Sequence, residues 1–314
     1  MRLCTRRVQH LAALSVIAFL VLGCGGTNAA GPQDTPGTRA SQPTASPRPA
    51  TPPASTPRAS ARRAAASPFT SRRLRGYLAG RAGHVTAALY DARTKKTWLL
   101  HPRSAQYTAS IVKVEIMGAA LHEAEAAGRD LPPAEAALMP SMIENSDNDS
   151  ATTLLQDVGG PSAIARFDRS AGMNDTIPSK LALIPGTSLP GWGLTTTTAL
   201  DEVTLVSDFA YPSSVLSDAA RRYGLSLMEH VEAGQDWGVS GGVPAGTTVA
   251  LKNGWLPVGS SGWQVNSIGW ISGHGRNYVL AVLTDGSPTE AYGIDTVETI
   301  ARDVYRSRAR ATPR

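Results

Sequence analysis

Tyr107-Thr108-Ala109-Ser110-Ile111-Val112-Lys113-Val114-Glu115-Ile116-Met117 sets a serine and a lysine three residues apart inside an otherwise apolar run. A helix starting near Ala109 puts positions three apart on one face, so the Ser110 hydroxyl and the Lys113 amine are expected one turn apart at its N-terminus. Burial beside Val112, Ile116 and Met117, with a second cation nearby, lowers a lysine pKa and makes a base of it. The helix N-terminus adds backbone N–H groups that can hold an oxyanion. Alone the pattern says little, because roughly one Ser-x-x-Lys arises by chance in a chain this long and most lie on solvated helix surface. The stretches downstream give it weight.

Upstream, the basic segment Met1–Arg7 precedes an apolar run, Leu11–Leu22, that ends in Gly23-Cys24. This reads as a secretory signal, too short for a comfortable membrane span. The cysteine after Val21-Leu22-Gly23 resembles the lipobox of bacterial lipoproteins, so lipidation at Cys24 is expected; an uncleaved N-terminal anchor is the alternative. The only cysteines are Cys4 and Cys24. The mature chain then has no internal disulfide, and its stability must come from a hydrophobic core.

Residues 25–75 are rich in Pro, Ala, Ser, Thr and Arg without hydrophobic period, and read as a disordered linker. Residues 1–75 hold eleven arginines against Asp34, a balance of +10, which leaves −5 for the remainder of a chain whose net charge is +5. The basic balance thus belongs to the tether and fits anionic lipid or wall polymer. Nucleic-acid binding is not expected, since the tether has almost no aromatics for stacking.

Residues 76–308 suit one domain, with 309–314 as a tail. His84–Asp91 and Thr97–Leu100 read as a hairpin; Gly128 ends the Ser110 helix, and breakers are expected at Pro132-Pro133, Pro140, Gly159-Gly160-Pro161 and Gly172. The middle reads as helix and loop only. Helices are expected over 150–158, over 199–211 after the Thr198 cap, and over 218–231. Period-two strands follow at 247–252, 263–271 and 278–284, before a closing helix over 289–306. Strands at both ends of a helical centre imply an α+β fold, an antiparallel sheet built from both termini with a helical lobe beside it.

Two more stretches carry chemistry: Ser146-Asp147-Asn148, just before a helix, and Lys252-Asn253-Gly254, placed at a strand end. Separately, the first reads as a turn and N-cap and the second as a hairpin turn. In order with Ser110-Ile111-Val112-Lys113 they resemble the Ser-x-x-Lys, Ser-Asp-Asn and Lys-Thr-Gly motifs of the class A β-lactamase and penicillin-binding protein superfamily, over about Gly83 to Tyr305. The resemblance implies the β-lactamase/transpeptidase fold, with Ser110 as nucleophile, Lys113 as its base and Ser146 as proton donor to the leaving nitrogen. It implies that Asn148 holds a substrate amide, that Lys252 attracts a substrate carboxylate and keeps Lys113 neutral, and that the N–H groups of Ser110 and Trp255 hold the oxyanion. Gly254 would let the strand approach closely.

The chain departs from that pattern in three places. Asn253 stands where the family has a carboxylate-binding threonine, and its amide is expected to donate instead. Only 36 residues separate Ser110 from Ser146, which implies a trimmed cleft wall and room for larger substrates. The stretch 176–198 holds no acid, whereas class A enzymes carry there the glutamate that activates the deacylating water. Asp201 and Glu202 read as first-turn helix acids. Trp192, Trp255 and Trp263 fit either cleft or core, and the six histidines show no metal-ligand spacing.

The expectation is an exported, lipid-anchored monomeric serine hydrolase, without metal or cofactor. It would form an acyl-enzyme at Ser110 with β-lactam or D-Ala-D-Ala-type wall peptide and deacylate β-lactams slowly. A D-Ala-D-Ala peptidase or esterase is the nearer alternative; a non-catalytic wall- or partner-binding lipoprotein is the more distant one.

Overall fold

The computed structural model describes residues 66–102 and 104–308. The signal segment, Cys24, the linker up to residue 65 and the tail 309–314 lie outside them. The folded part begins earlier than the expected boundary at 75. A 3-10 turn at Pro68–Thr70 and helix α1 (Arg72–Leu78) bury Phe69 and Leu74 against the closing helix and the sheet. Two large apolar side chains within an Arg- and Ser-rich stretch are enough to dock it.

Strands β1 (His84–Asp91) and β2 (Lys96–Leu100) form the opening hairpin. Strands β5 (Thr248–Pro257), β6 (Trp263–Gly273) and β7 (Arg276–Asp285) come from the other end of the chain. Together they make one antiparallel sheet in the order β2-β1-β7-β6-β5. Strands buried on both faces read as continuous apolar runs, such as Val279–Leu283. Period two divides them. Leu89, Leu280 and Val282 pack on α8 (Glu290–Ser307), while Ala88, Ile268, Val279, Ala281 and Leu283 pack on the helical lobe.

The lobe is built around α2 (Val112–Ala126), buried at every position from Val112 to Leu121, and Gly128 follows it in the left-handed region (φ 63°). Around it lie α3 (Pro133–Glu144), α4 (Asn148–Asp157), α5 (Pro161–Ala171), α6 (Ala199–Ala210) and α7 (Asp218–Glu229). Side-chain caps at Asp147, Thr198, Ser217 and Thr289 start α4, α6, α7 and α8.

Three expectations are corrected. Pro140 does not break a helix but sits inside α3, and the Tyr223 hydroxyl lies 3.5 Å from the Ala136 carbonyl that the proline ring leaves unpaired. The middle is not helix and loop only, because β3 (Gln106–Tyr107) pairs with β4 (Thr196–Thr197). The strand expected to end at Lys252 runs on to Pro257, so Lys252-Asn253-Gly254 lies in its interior, with Gly254 opposite Asn266.

Candidate active site

The backbone holds Ser110 from three sides. The β3–β4 pair and a hydrogen bond from Thr108 N–H to Thr195 O (2.8 Å) fix the approach. The buried Asn266 amide donates to the carbonyls of Tyr107 (2.8 Å) and Thr108 (3.0 Å), while its oxygen accepts from Thr284 N–H (3.1 Å). Strand β5 then closes against the turn at Gly254, where an added Cβ would stand 2.6 Å from Ser110 N and 2.8 Å from Ile111 N. Under these constraints Ala109 takes a left-handed conformation (φ 49°), and Ser110 enters the 3-10 turn Ala109–Ile111 that leads into α2. A non-glycine residue held there stores about 1–3 kcal/mol of strain.

Lys113, one turn on, is fully buried. Its Nζ lies 3.1 Å from Ser110 Oγ, 3.0 Å from Ser146 Oγ, 2.6 Å from Ser146 O and 2.8 Å from Asn148 Oδ1. Burial above all, and the charge of Lys252 next, bring its pKa down to about 6 against a smaller upward pull from Asp147. At neutral pH the amine is therefore mostly uncharged. The two carbonyl oxygens can only accept, so they take its two hydrogens, and the lone pair is left facing the hydroxyls of Ser110 and Ser146. A neutral amine so directed can accept a proton from either hydroxyl.

Ser146 also lies in the left-handed region (φ 57°), at the turn between α3 and α4. Asp147 caps α4, its side chain accepting from Ser150 N–H at 2.7 Å. The turn-and-cap reading of this stretch thus holds for Asp147, while Ser146 and Asn148 on either side reach Lys113.

The third motif is only partly brought to the site. Lys252 is fully buried; its pKa falls to about 7 through burial, partly offset by Glu232, and its ammonium donates to Asn253 O at 3.2 Å. Asn253 is not free to donate to a substrate. Strand alternation turns it to the opposite face, and its amide hydrogens go to Gln235 O (2.8 Å) and Trp237 O (2.9 Å). There it anchors the loop after α7. That loop in turn clamps the second motif, since Gln235 Nε2 donates to Asn145 O (3.1 Å) and Asn145 Nδ2 to Glu232 Oε2 (3.2 Å). Trp255 borders the cleft, while its ring, on the Asn253 face of the strand, packs on Trp237 at 5.9 Å between centroids.

The cleft at Ser110 is small, about 50 Å³, against the room for larger substrates expected from the short spacing. Ile184, Leu189 and Pro190 from the acid-free stretch close it, with Trp192, Trp255 and Leu256. Trp192 is buried; its ring centroid stands 5.0 Å from Lys113 Nζ, and its Nε1–H donates to Thr152 Oγ1 at 3.1 Å. Trp263 takes no part in the lining. No carboxylate lines the cleft.

Asp201 and Glu202 stand in the first turn of α6, as expected, but not at the surface. Both are buried and, with Asp168 and Glu115, place four carboxyl groups in the lobe core. Burial is the main cause that pushes Glu115 well up, Asp168 to about 7 and Glu202 to about 8, and the mutual repulsion of the group adds to it. Among the described residues no group of three or more His, Cys, Asp or Glu is arranged to hold a metal ion.

Sequence reasoning missed Asn266 and Thr152. Asn266 had one signal, a lone amide in the buried run Val265-Asn266-Ser267-Ile268. Thr152 had none, because its hydrogen bond depends on where a distant loop returns.

Residues 136–307 match the model of the β-lactamase enzyme family. No curated protein matches the chain. Among solved structures, an ancestral class A β-lactamase is 22% identical, with 76% of this chain and 99% of that one covered at a TM-score of 0.64. The class A β-lactamase of the last common ancestor of Gram-negative bacteria gives 22%, 75%, 97% and 0.64 for the same quantities. The TLA-1 extended-spectrum β-lactamase gives 19%, 74%, 95% and 0.65. At these identities the likeness is one of fold.

Proposed function

The chain belongs to the β-lactamase enzyme family, and on that premise we propose that it is a serine hydrolase working through an acyl-enzyme at Ser110 and clearing that ester slowly in water. The observation that carries the reading is the buried, largely neutral Lys113 amine, 3.1 Å from Ser110 Oγ and 3.0 Å from Ser146 Oγ. Lys113 takes the Ser110 proton as Oγ attacks a lactam, peptide or ester carbonyl; Ser146 passes a proton to the leaving atom. The backbone N–H groups of Ser110 and Trp255 hold the oxyanion, and Asn148 presents its amide nitrogen to the substrate.

Slow deacylation follows from the cleft walls. Water is a poor nucleophile toward an ester without a base, and the cleft wall beside Lys113 presents the Trp192 indole and no carboxylate. The basic, Pro-rich tether and the Gly23-Cys24 pair support a site on the outer face of the cytoplasmic membrane, held by a lipid at Cys24.

The reading is tested by incubating the purified protein with a fluorescent penicillin and following intact mass over time, with Ser110→Ala as control. An adduct that persists and is absent from the variant is expected. An adduct placed elsewhere, or rapid clearance with product release, contradicts it.

A further inference from the structure

We propose that the Ser110 cleft selects acyl donors that carry no free carboxylate, neutral esters or amides with an apolar acyl group. The inference rests on the acyl-enzyme reading and names the substrate class of that site. Three observations carry it.

The wall is apolar. Apart from Ser110 and Asn148 the residues lining the cleft are apolar, Ile184, Leu189, Pro190, Trp192 and Leu256 among them, and no charged residue lines it. A carboxylate entering such a space loses its hydration and finds no partner. An apolar acyl group placed there leaves water favourably.

The residues that would receive a carboxylate are committed elsewhere. Asn253 is buried on the far face of β5 with both amide hydrogens given to the carbonyls of Gln235 and Trp237. Lys252, on the Ser110 side of β5, is fully buried, and its ammonium donates to its own neighbour's carbonyl. The Lys113 amine is surrounded by four oxygens of Ser110, Ser146 and Asn148 within 3.1 Å.

The commitment of Asn253 is structural and not incidental. Through Gln235 and Glu232 it ties β5 to Asn145, one residue before Ser146. Turning the amide back toward the cleft would release the turn that carries the proton donor. The site cannot regain an anion receptor at this position without disturbing its own geometry.

With a p-nitrophenyl ester the step balances simply. The Ser110 Oγ–carbonyl bond forms, the bond to p-nitrophenolate breaks, and the serine proton passes through Lys113 to the medium. The test uses matched pairs: p-nitrophenyl hexanoate against mono-p-nitrophenyl adipate, and benzylpenicillin methyl ester against benzylpenicillin. The rate of Ser110 adduct formation is read by intact mass and corrected for spontaneous reaction.

The neutral member of each pair should acylate Ser110 at least tenfold faster. Equal rates, or a preference for the carboxylate, overturn the proposal and leave the acyl-enzyme reading standing. Ile184→Arg, which sets a cation in the wall, should narrow the preference; an unchanged ratio argues that the wall does not set it. If neither pair nor a fluorophosphonate modifies Ser110, the acyl-enzyme reading fails and the present proposal with it.

Discussion

The Lys113 amine lies 5.0 Å from the centroid of the Trp192 indole, which is pinned in place by its hydrogen bond to Thr152. Opening this wall should admit water to the ester. Trp192→Ala is expected to speed clearance of the Ser110 adduct by about tenfold, roughly 1.4 kcal/mol of barrier, while adduct formation changes little. Trp192→His is the gentler substitution should the alanine variant lose too much core. A general loss of structure slows both steps, so a selective gain in clearance separates the two accounts.

The pH dependence of acylation should report Lys113. In the proposed mechanism its neutral form acts as the base, so the rate should fall as pH drops below about 6 and level off above it. Lys252→Met removes the charge that ranks next to burial in lowering that pKa, and the limb should move to higher pH. A pH profile measured by quenched-flow mass spectrometry, unmoved by the substitution, would separate Lys113 from the limb.

The four carboxyls in the lobe core make a statement about stability. Their folded pKa values are raised above those of the unfolded chain. The stability they permit is complete below the usual carboxyl range and is lost as pH rises through the folded values, about 7 for Asp168 and 8 for Glu202. Tm should therefore fall from about pH 5 to about pH 8 and level off above it. Glu202→Gln should flatten the decline, each kcal/mol being worth about 2–4 °C in a domain of this size. A decline equally steep in the variant would assign it to other groups.

Gly254→Ala should cripple acylation. Its Cβ would meet the backbone at Ser110 N (2.6 Å) and on both sides of that residue, at Thr108 O and Ile111 N (2.8 Å each), and these cannot step aside as a side chain tip can. A displacement of about 1 Å at the nucleophile costs on the order of 10²-fold in rate. Circular dichroism and the acylation rate, measured on the same sample, distinguish a displaced nucleophile from an unfolded domain.

Much of the fold was legible where periodicity or a cap carried it. The β1–β2 hairpin, the Thr198 cap and the closing helix follow from local pattern. The continuation of β5 through Lys252-Asn253-Gly254 was not, because a Lys-Asn-Gly run has turn chemistry and only the neighbouring β6 keeps it extended. The docking of Phe69 and Leu74 escaped for a similar reason, since composition averaged over the tether hides two anchors.

At the site, three-residue spacing put Ser110 and Lys113 on a shared helix face, whereas Ser146 and Asn148 came from the motif resemblance, their local pattern reading only as a turn and cap. The direction of Asn253 was not legible. Its place in the motif suggested the cleft, and strand alternation with two loop carbonyls decided otherwise. Glu202 looked like a first-turn acid and occupies that turn, yet α6 rotates it into the core. Such assignments depend on tertiary packing that no local window contains.

The most direct test of the central claim is a pre-steady-state burst with p-nitrophenyl hexanoate. The account predicts one equivalent of p-nitrophenolate per chain, released quickly, followed by slow turnover, with the burst abolished in Ser110→Ala. Linear release without a burst, or a burst that survives in Ser110→Ala, would contradict it.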